Sequence, residues 1–200
     1  LKLVLIAQIG IIAVSALRRM NVYQAEYGYT VLRLYVEWFI YFTMIFLITA
    51  GGFFASRVSF RRFVHTALIM GVLAMMVVTS VNVGRVIAEE NVDRFLQDNK
   101  ELDLSYLSQL SPDTLPSVVR LLREKNPREL SIDMLLDIER FLTEMEKKVA
   151  MHDTARELNI GMLSFQKETQ GIPPAAYDAM RWARVKDHEY KKLEAIAQNI

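Results

Sequence analysis

The stretch Leu34–Ala55, LYVEWFIYFTMIFLITAGGFFA, decides the fold. It holds one charged residue, Glu37, and matches the roughly 20 apolar residues that a helix needs to cross a ~30 Å hydrocarbon core. Its first half carries Tyr35, Trp38 and Tyr41, aromatic residues that suit a headgroup boundary, and its far end is Ala50-Gly51-Gly52. No water is available to backbone groups inside lipid, so the stretch reads as a helix rather than an isolated strand.

Two further apolar runs flank it. Leu3–Leu17 is uncharged and bounded by Lys2 and Arg18-Arg19, slightly short for a span. The chain opens on Leu1, so this run reads as one cut at its start. A signal peptide is the alternative, because Lys2, an apolar stretch and small residues at 13–16 also fit that pattern. Phe63–Gly84 has His65 at its start and no formal charge inside. The expected spans are therefore about 1–17, 34–55 and 63–84, with residues 1–84 forming a transmembrane region. The expected fold class is all-α: three transmembrane helices followed by a C-terminal helical soluble domain.

Charge divides the chain in the same place. Residues 1–84 hold seven Lys/Arg against Glu26 and Glu37, a net of +5; residues 85–200 hold seventeen against twenty-one acids, a net of −4. A nucleic-acid-binding chain would carry a large basic excess, so no nucleic acid is expected. Cysteine is absent, which excludes disulfides, thiolate metal sites and thiol nucleophiles. The loop 56–62 holds Arg57, Arg61 and Arg62 and no acid, so the positive-inside rule puts it in the cytoplasm and everything after Gly84 outside. Arg18, Arg19 and Arg33 in the outer loop weigh the other way.

From Arg85 the sequence is charged and rich in helix punctuation. Ser111-Pro112-Asp113 reads as an N-cap followed by a helical proline, with Leu115, Val118, Val119 and Leu122 as an apolar stripe. Asn126-Pro127-Arg128-Glu129 reads as a second start with Glu129 closing a capping box, and Leu135, Ile138, Leu142 and Met145 continue that helix to about Val149. Gly171-Ile172-Pro173-Pro174 breaks the pattern before a last helix, about Ala175–Ala197. That helix sets Tyr177, Met180, Trp182, Val185 and Tyr190 beside Arg181, Arg184, Lys186, Lys191 and Lys192. Such a face fits an anionic bilayer or neighbouring helices, and the two arrangements differ in the exposure of Trp182.

Nothing in the sequence supports an enzyme. His65, His152 and His188 lie far apart, and no zinc-protease, phosphate-loop, dinucleotide or serine-elbow motif occurs. No catalytic residue, metal or cofactor is expected. Glu37 shares a helix face with Arg33, four positions earlier, and an interfacial ion pair is expected there. A proton or ion site is the sharper alternative, with Asn82 further along a polar path. Ala67-x-x-x-Gly71 and Gly51-x-x-x-Ala55 are spaced to let helix backbones approach. Met70, Met75 and Met76 read as adaptable packing.

Three strings carry a family resemblance. Glu26-Tyr27-Gly28-Tyr29-Thr30-Val31-Leu32-Arg33-Leu34-Tyr35 resembles the Tyr-Gly-Leu-Thr-x-Leu-Arg-x-Tyr signature of domain-of-unknown-function family 4173 and the related 4153 group. Asn82–Val92 resembles its Asn-Pro-Asp-x-x-Ile-Ala-x-x-Asn-Val segment, with Asn82, Ile87, Ala88, Asn91 and Val92 in step and Val83-Gly84 replacing Pro-Asp. Leu102-Asp103-Leu104-Ser105-Tyr106-Leu107 with Leu110-Ser111-Pro112-Asp113 resembles its third stretch, and Pro116 fits the following helix. The likeness covers about residues 20–120, with a faint echo at Leu158-Asn159. It implies a multi-span helical protein of the bacterial cytoplasmic membrane, longer upstream, with no assigned activity.

In physical terms Gly28 suits a positive-φ turn, Thr30 a helix cap and Arg33 an interfacial anchor. Gly28, Thr30, Arg33, Tyr35, Glu37, Asn82, Asn91, Asp103 and Tyr106 are the candidate structural-junction or interaction residues. Asn82, Asn91 and Tyr106 are expected near the membrane surface. The expected role is a non-enzymatic envelope sensor, scaffold or assembly factor, with the lipid bilayer as one partner and a protein bound through residues 85–200 as another. The alternative is a transport-related subunit with a polar path near Glu37 and Asn82.

Overall fold

The computed structural model describes residues 2–56, 59–151 and 165–197. It is 87% helical, with no strand among the described residues. The chain divides into two compact units, Leu1–Val83 and Gly84–Ile200.

The first unit is built on three helices long and apolar enough to cross a membrane: α1 (Lys2–Tyr27), α2 (Val31–Ala55) and α3 (Phe60–Ser80). At 1.5 Å per residue the shortest, with 21 residues, is about 31 Å long. α1 runs well past the end of its apolar run. Arg18, Arg19, Met20, Gln24 and Ala25 are sound helix formers, and a helix need not end where hydrocarbon does. Only Gly28–Thr30 separate it from α2, so the expected outer loop of 18–33 is a tight turn. Hydroxyls inside the apolar helices bond back to their own backbone: Thr43 to the Phe39 carbonyl at 2.8 Å and Thr49 to Ile45 at 2.9 Å.

α3 ends at Ser80 rather than at residue 84. Thr79 and Ser80 donate to the Met75 and Met76 carbonyls, and Val81 is extended, so Val83 and Gly84 begin the next helix. The small-residue pattern also falls short of a close approach. A Cβ on Gly71 would meet nothing within 4 Å, and one on Gly51 would make an ordinary 3.9 Å contact with Ile6. Bulky rings form the α2–α3 contact instead: Phe46, Phe53 and Phe54 of α2 surround Phe63 at centroid distances of 5.5 to 6.4 Å, with Phe60 of α3 beside it at 6.2 Å.

The second unit is a helical domain with a dense core. It comprises α4 (Val83–Asp98), α5 (Leu104–Gln109), α6 (Leu115–Glu124), α7 (Ile132–Met151) and α8 (Pro174–Ala197), with 3₁₀ turns at Pro112–Thr114 and Pro127–Glu129. Asn99, at φ 51°, ends α4 in the left-handed region, and its side chain accepts from Lys125 Nζ at 3.0 Å. α6 buries six of its ten residues, the expected stripe among them. On α7 the buried positions are Leu135, Ile138, Phe141, Met145 and Val149; Phe141 fills the place expected for Leu142, which is half-buried. The start expected at Asn126 is a single 3₁₀ turn. The true cap of α7 is Ser131, whose hydroxyl accepts from Met134 N at 3.2 Å, because the turn must first reverse the chain from α6.

α8 covers this core with two alanines and a methionine. Ala176, Met180 and Ala183 face α7, while Arg184 pairs with Glu139 across the same seam. Upstream of α8, the Gly171 carbonyl accepts from Arg123 Nε at 2.8 Å, and Ile172 is buried. A Cβ on Gly171 would lie 1.5 Å from that guanidinium, so the position requires glycine while the bond is made.

Candidate functional site

In the first unit the polar side chains gather at the α1–α2 turn. Gly28 is buried with φ 78°, a conformation that L side chains adopt at a cost, and its N–H returns to the Gln24 carbonyl at 2.9 Å. Thr30 then caps α2, its hydroxyl accepting from Arg33 N at 3.4 Å. The Arg33 guanidinium folds back: Nη1 donates to the Gly28 carbonyl at 2.6 Å and to Tyr27 at 3.1 Å. A cation thereby sits on the carbonyl end of α1, where the helix dipole favours positive charge.

The expected Arg33–Glu37 ion pair is consequently absent. Arg33 is occupied by the turn, and Glu37 has a partner on the other helix, Gln24, whose Nε2 donates to Glu37 Oε2 at 2.7 Å. Gln24 is 1% exposed. This bond ties α1 to α2 inside an apolar surround, where an unsatisfied polar group costs several kcal/mol, on the order of the desolvation of an amide. Tyr35 stands outside this network, 42% exposed and edge-on to Trp38 at 5.9 Å. Gln24 escaped notice in the sequence because an isolated glutamine in a helix names no partner. Its signal is only visible once α1 is known to continue past Arg19.

The remaining candidates are local supports. Asn82 lies in the two-residue break before α4. Asn91 is buried in α4, its Oδ1 accepting from Arg94 Nη1 at 3.2 Å. Asp103 caps α5, its Oδ1 accepting from Tyr106 N at 2.8 Å, and Tyr106 is half-buried. The turn residues form one group and the Asp103–Tyr106 pair another, joined by helix caps and turn hydrogen bonds.

The helical domain carries a feature that hydropathy does not locate: a groove of about 450 Å³ between the Pro127–Glu129 turn with α7 and the start of α8. Pro127, Leu130, Leu135, Ala179 and Trp182 form its apolar wall, and Arg128 and Asp178 supply its charge. Trp182 is 53% exposed, because α8 turns its alanine face to the core and leaves the indole on the rim. A second cleft, about 420 Å³, lies over the Glu139–Arg184 pair. Among the described residues no group of three His, Asp or Glu could hold a metal ion. His65 and His188 are exposed on separate helices, and His152, with Leu158-Asn159, lies outside the described residues.

A family model described as Domain of unknown function (DUF4153) matches residues 1–121. The chain belongs to that family. The match runs from the start of α1 into α6, so it takes in the turn, the Asn91 segment and the Asp103 cap. No curated protein and no solved structure matches the chain. The DUF4153 protein is thus a helical protein with three candidate membrane spans.

Proposed function

We propose that this DUF4153 protein is a non-enzymatic envelope sensor, scaffold or assembly factor of the bacterial cytoplasmic membrane. Its helices anchor it, and its helical domain, residues 85–200, engages a protein partner on the extracytoplasmic side. One observation carries the reading: Trp182 stands half-exposed on the rim of a preformed apolar groove. Tryptophan is among the side chains that most often anchor protein contacts, and a groove flanked by one cation and one anion can orient a bound segment. The positive-inside rule supports the sidedness.

Affinity purification from native membranes tests the partner, using the intact protein and Ala179→Arg, which fills the groove. A partner recovered in proportion with the first and lost with the second, at equal amounts of folded protein, is expected; equal recovery refutes the reading. For sidedness, Arg140→Cys places a single thiol on an exposed position of a cysteine-free chain. Labelling by an impermeant maleimide before lysis, in spheroplasts where an outer membrane intervenes, is expected. Protection until lysis moves the partner to the cytoplasm.

The transport alternative predicts that Glu37→Gln abolishes flux without loss of folded protein. The Gln24–Glu37 bond supports a locking role instead, for which the same change affects stability at most.

A further inference from the structure

We infer that the end of the membrane unit formed by Lys2, Arg61 and Arg62 binds the headgroup of an anionic phospholipid. The inference starts from a charge imbalance. The only carboxylates in residues 1–83 are Glu26, in the last turn of α1, and Glu37, in the second turn of α2, both beside the Gly28 turn. Lys2, Arg61 and Arg62 lie at the opposite helix ends, and Arg57 joins them in sequence.

A run of packed rings leads from Lys2 to the start of α3. Lys2 Nζ sits 5.1 Å over the Phe54 ring, Phe54 packs on Phe63 at 6.4 Å, and Phe63 and Phe60 flank Arg61 and Arg62 on α3. All three cations are exposed. Among the described residues none has a hydrogen bond or ion pair to a protein group, Lys2 meeting only the ring. Arg33, at the other end, shows what this chain does with a guanidinium that has an internal role: two short bonds to carbonyls.

An end of the membrane unit that carries cations and no carboxylate attracts external anions, whereas the end that holds Arg18 and Arg19 also holds Glu26 and Glu37. The anions fixed at membrane depth are lipid phosphates. Guanidinium groups suit a phosphodiester, which they can grip with two parallel bonds. The phenylalanine cluster beside them offers an apolar surface where acyl chains would lie. A neutral headgroup would bring its own ammonium to the same cations, so the preference is for a net negative lipid.

The test is native mass spectrometry of the intact protein released from micelles doped with phosphatidylglycerol or phosphatidylcholine of identical chains. The wild type is expected to retain phosphatidylglycerol preferentially. Lys2→Gln, Arg61→Gln and Arg62→Gln are each expected to lower that retention about fivefold, and the triple variant about a hundredfold. Arg18→Gln with Arg19→Gln, at the other end, should leave it unchanged. Equal retention of the two lipids, or retention untouched by the variants, overturns the inference. So does displacement of the lipid by millimolar inorganic phosphate, which would make this a site for the free anion. If the triple variant fails to fold, the single variants and the wild type decide: raising salt toward 0.5 M should erode the preference, since exposed charges are screened within about 10 Å at 0.1 M. A preference indifferent to salt also overturns it.

Discussion

α3 and α6 show how differently the two units use apolar residues. α3 has 21 residues and buries none; α6 has ten and buries six. In the membrane unit lipid takes the place of a protein core, so apolar side chains need no partner and polar ones do. In the helical domain water makes the opposite demand. Its core residues interlock, and its charges stay outside in pairs such as Arg140–Asp137 and Lys147–Glu144. Substitutions should therefore register on volume in one unit and on hydrogen bonds in the other.

The sharpest contrast compares Phe141→Ala with Leu73→Ala. Phe141 is 1% exposed, so its loss should cost about 3–5 kcal/mol, measured as a shift in the unfolding midpoint of the helical domain. Leu73 is 55% exposed on α3, so its loss should fall within about 0.5 kcal/mol. Comparable costs would break the division drawn above. Gly171→Ala is next. It displaces the Arg123 guanidinium and its bond to the Gly171 carbonyl, at about 1 kcal/mol. In an Arg123→Ala background the same change should be nearly neutral, and a persisting cost would mean that the backbone turn itself resists the methyl.

How much could be read from the sequence follows the same division. Apolar run length located α2 and α3 to within a few residues, because hydrocarbon thickness is a property of the solvent and not of a partner. It could not say that α1 continues to Tyr27, since Arg18 to Glu26 are polar enough for a loop and equally good in a helix. On α7 the 3.6-residue period found the core face but not that Phe141 rather than Leu142 fills it, because both lie at the edge of the same stripe. At the turn, Gly28 and Thr30 were legible because backbone conformation and capping are local. Gln24 and Glu37 were not, because their bond joins residues thirteen apart. The Trp182 groove depends on which face α8 gives to α7, and composition does not record that.

Gln24→Leu tests the membrane half of the comparison. It removes the interhelical donor to the Glu37 carboxylate, which keeps its bond to Tyr41, and should cost about 0.6 kcal/mol, the typical worth of an interhelical bond in a membrane protein, with about 1.7 kcal/mol as an upper figure. Glu37→Gln keeps a bond and should cost less; the reverse order would show that the carboxylate's charge matters. The smallest effect is expected at Glu189, whose carboxyl is held below its ordinary value by Lys186 at 2.9 Å. Any stability from that pair is present above the ordinary carboxylate range and is lost as pH falls through the lowered value. Both groups are in water, so Glu189→Gln should leave an acid-unfolding titration unmoved within error.

The turn at Gly28–Thr30 also bears on how the chain crosses the bilayer. Three residues reach about 10 Å when fully extended, a third of the hydrocarbon thickness. When both helices span the bilayer, therefore, the Gly28 ends of α1 and α2 must lie at the same face, and the two can cross only as antiparallel neighbours.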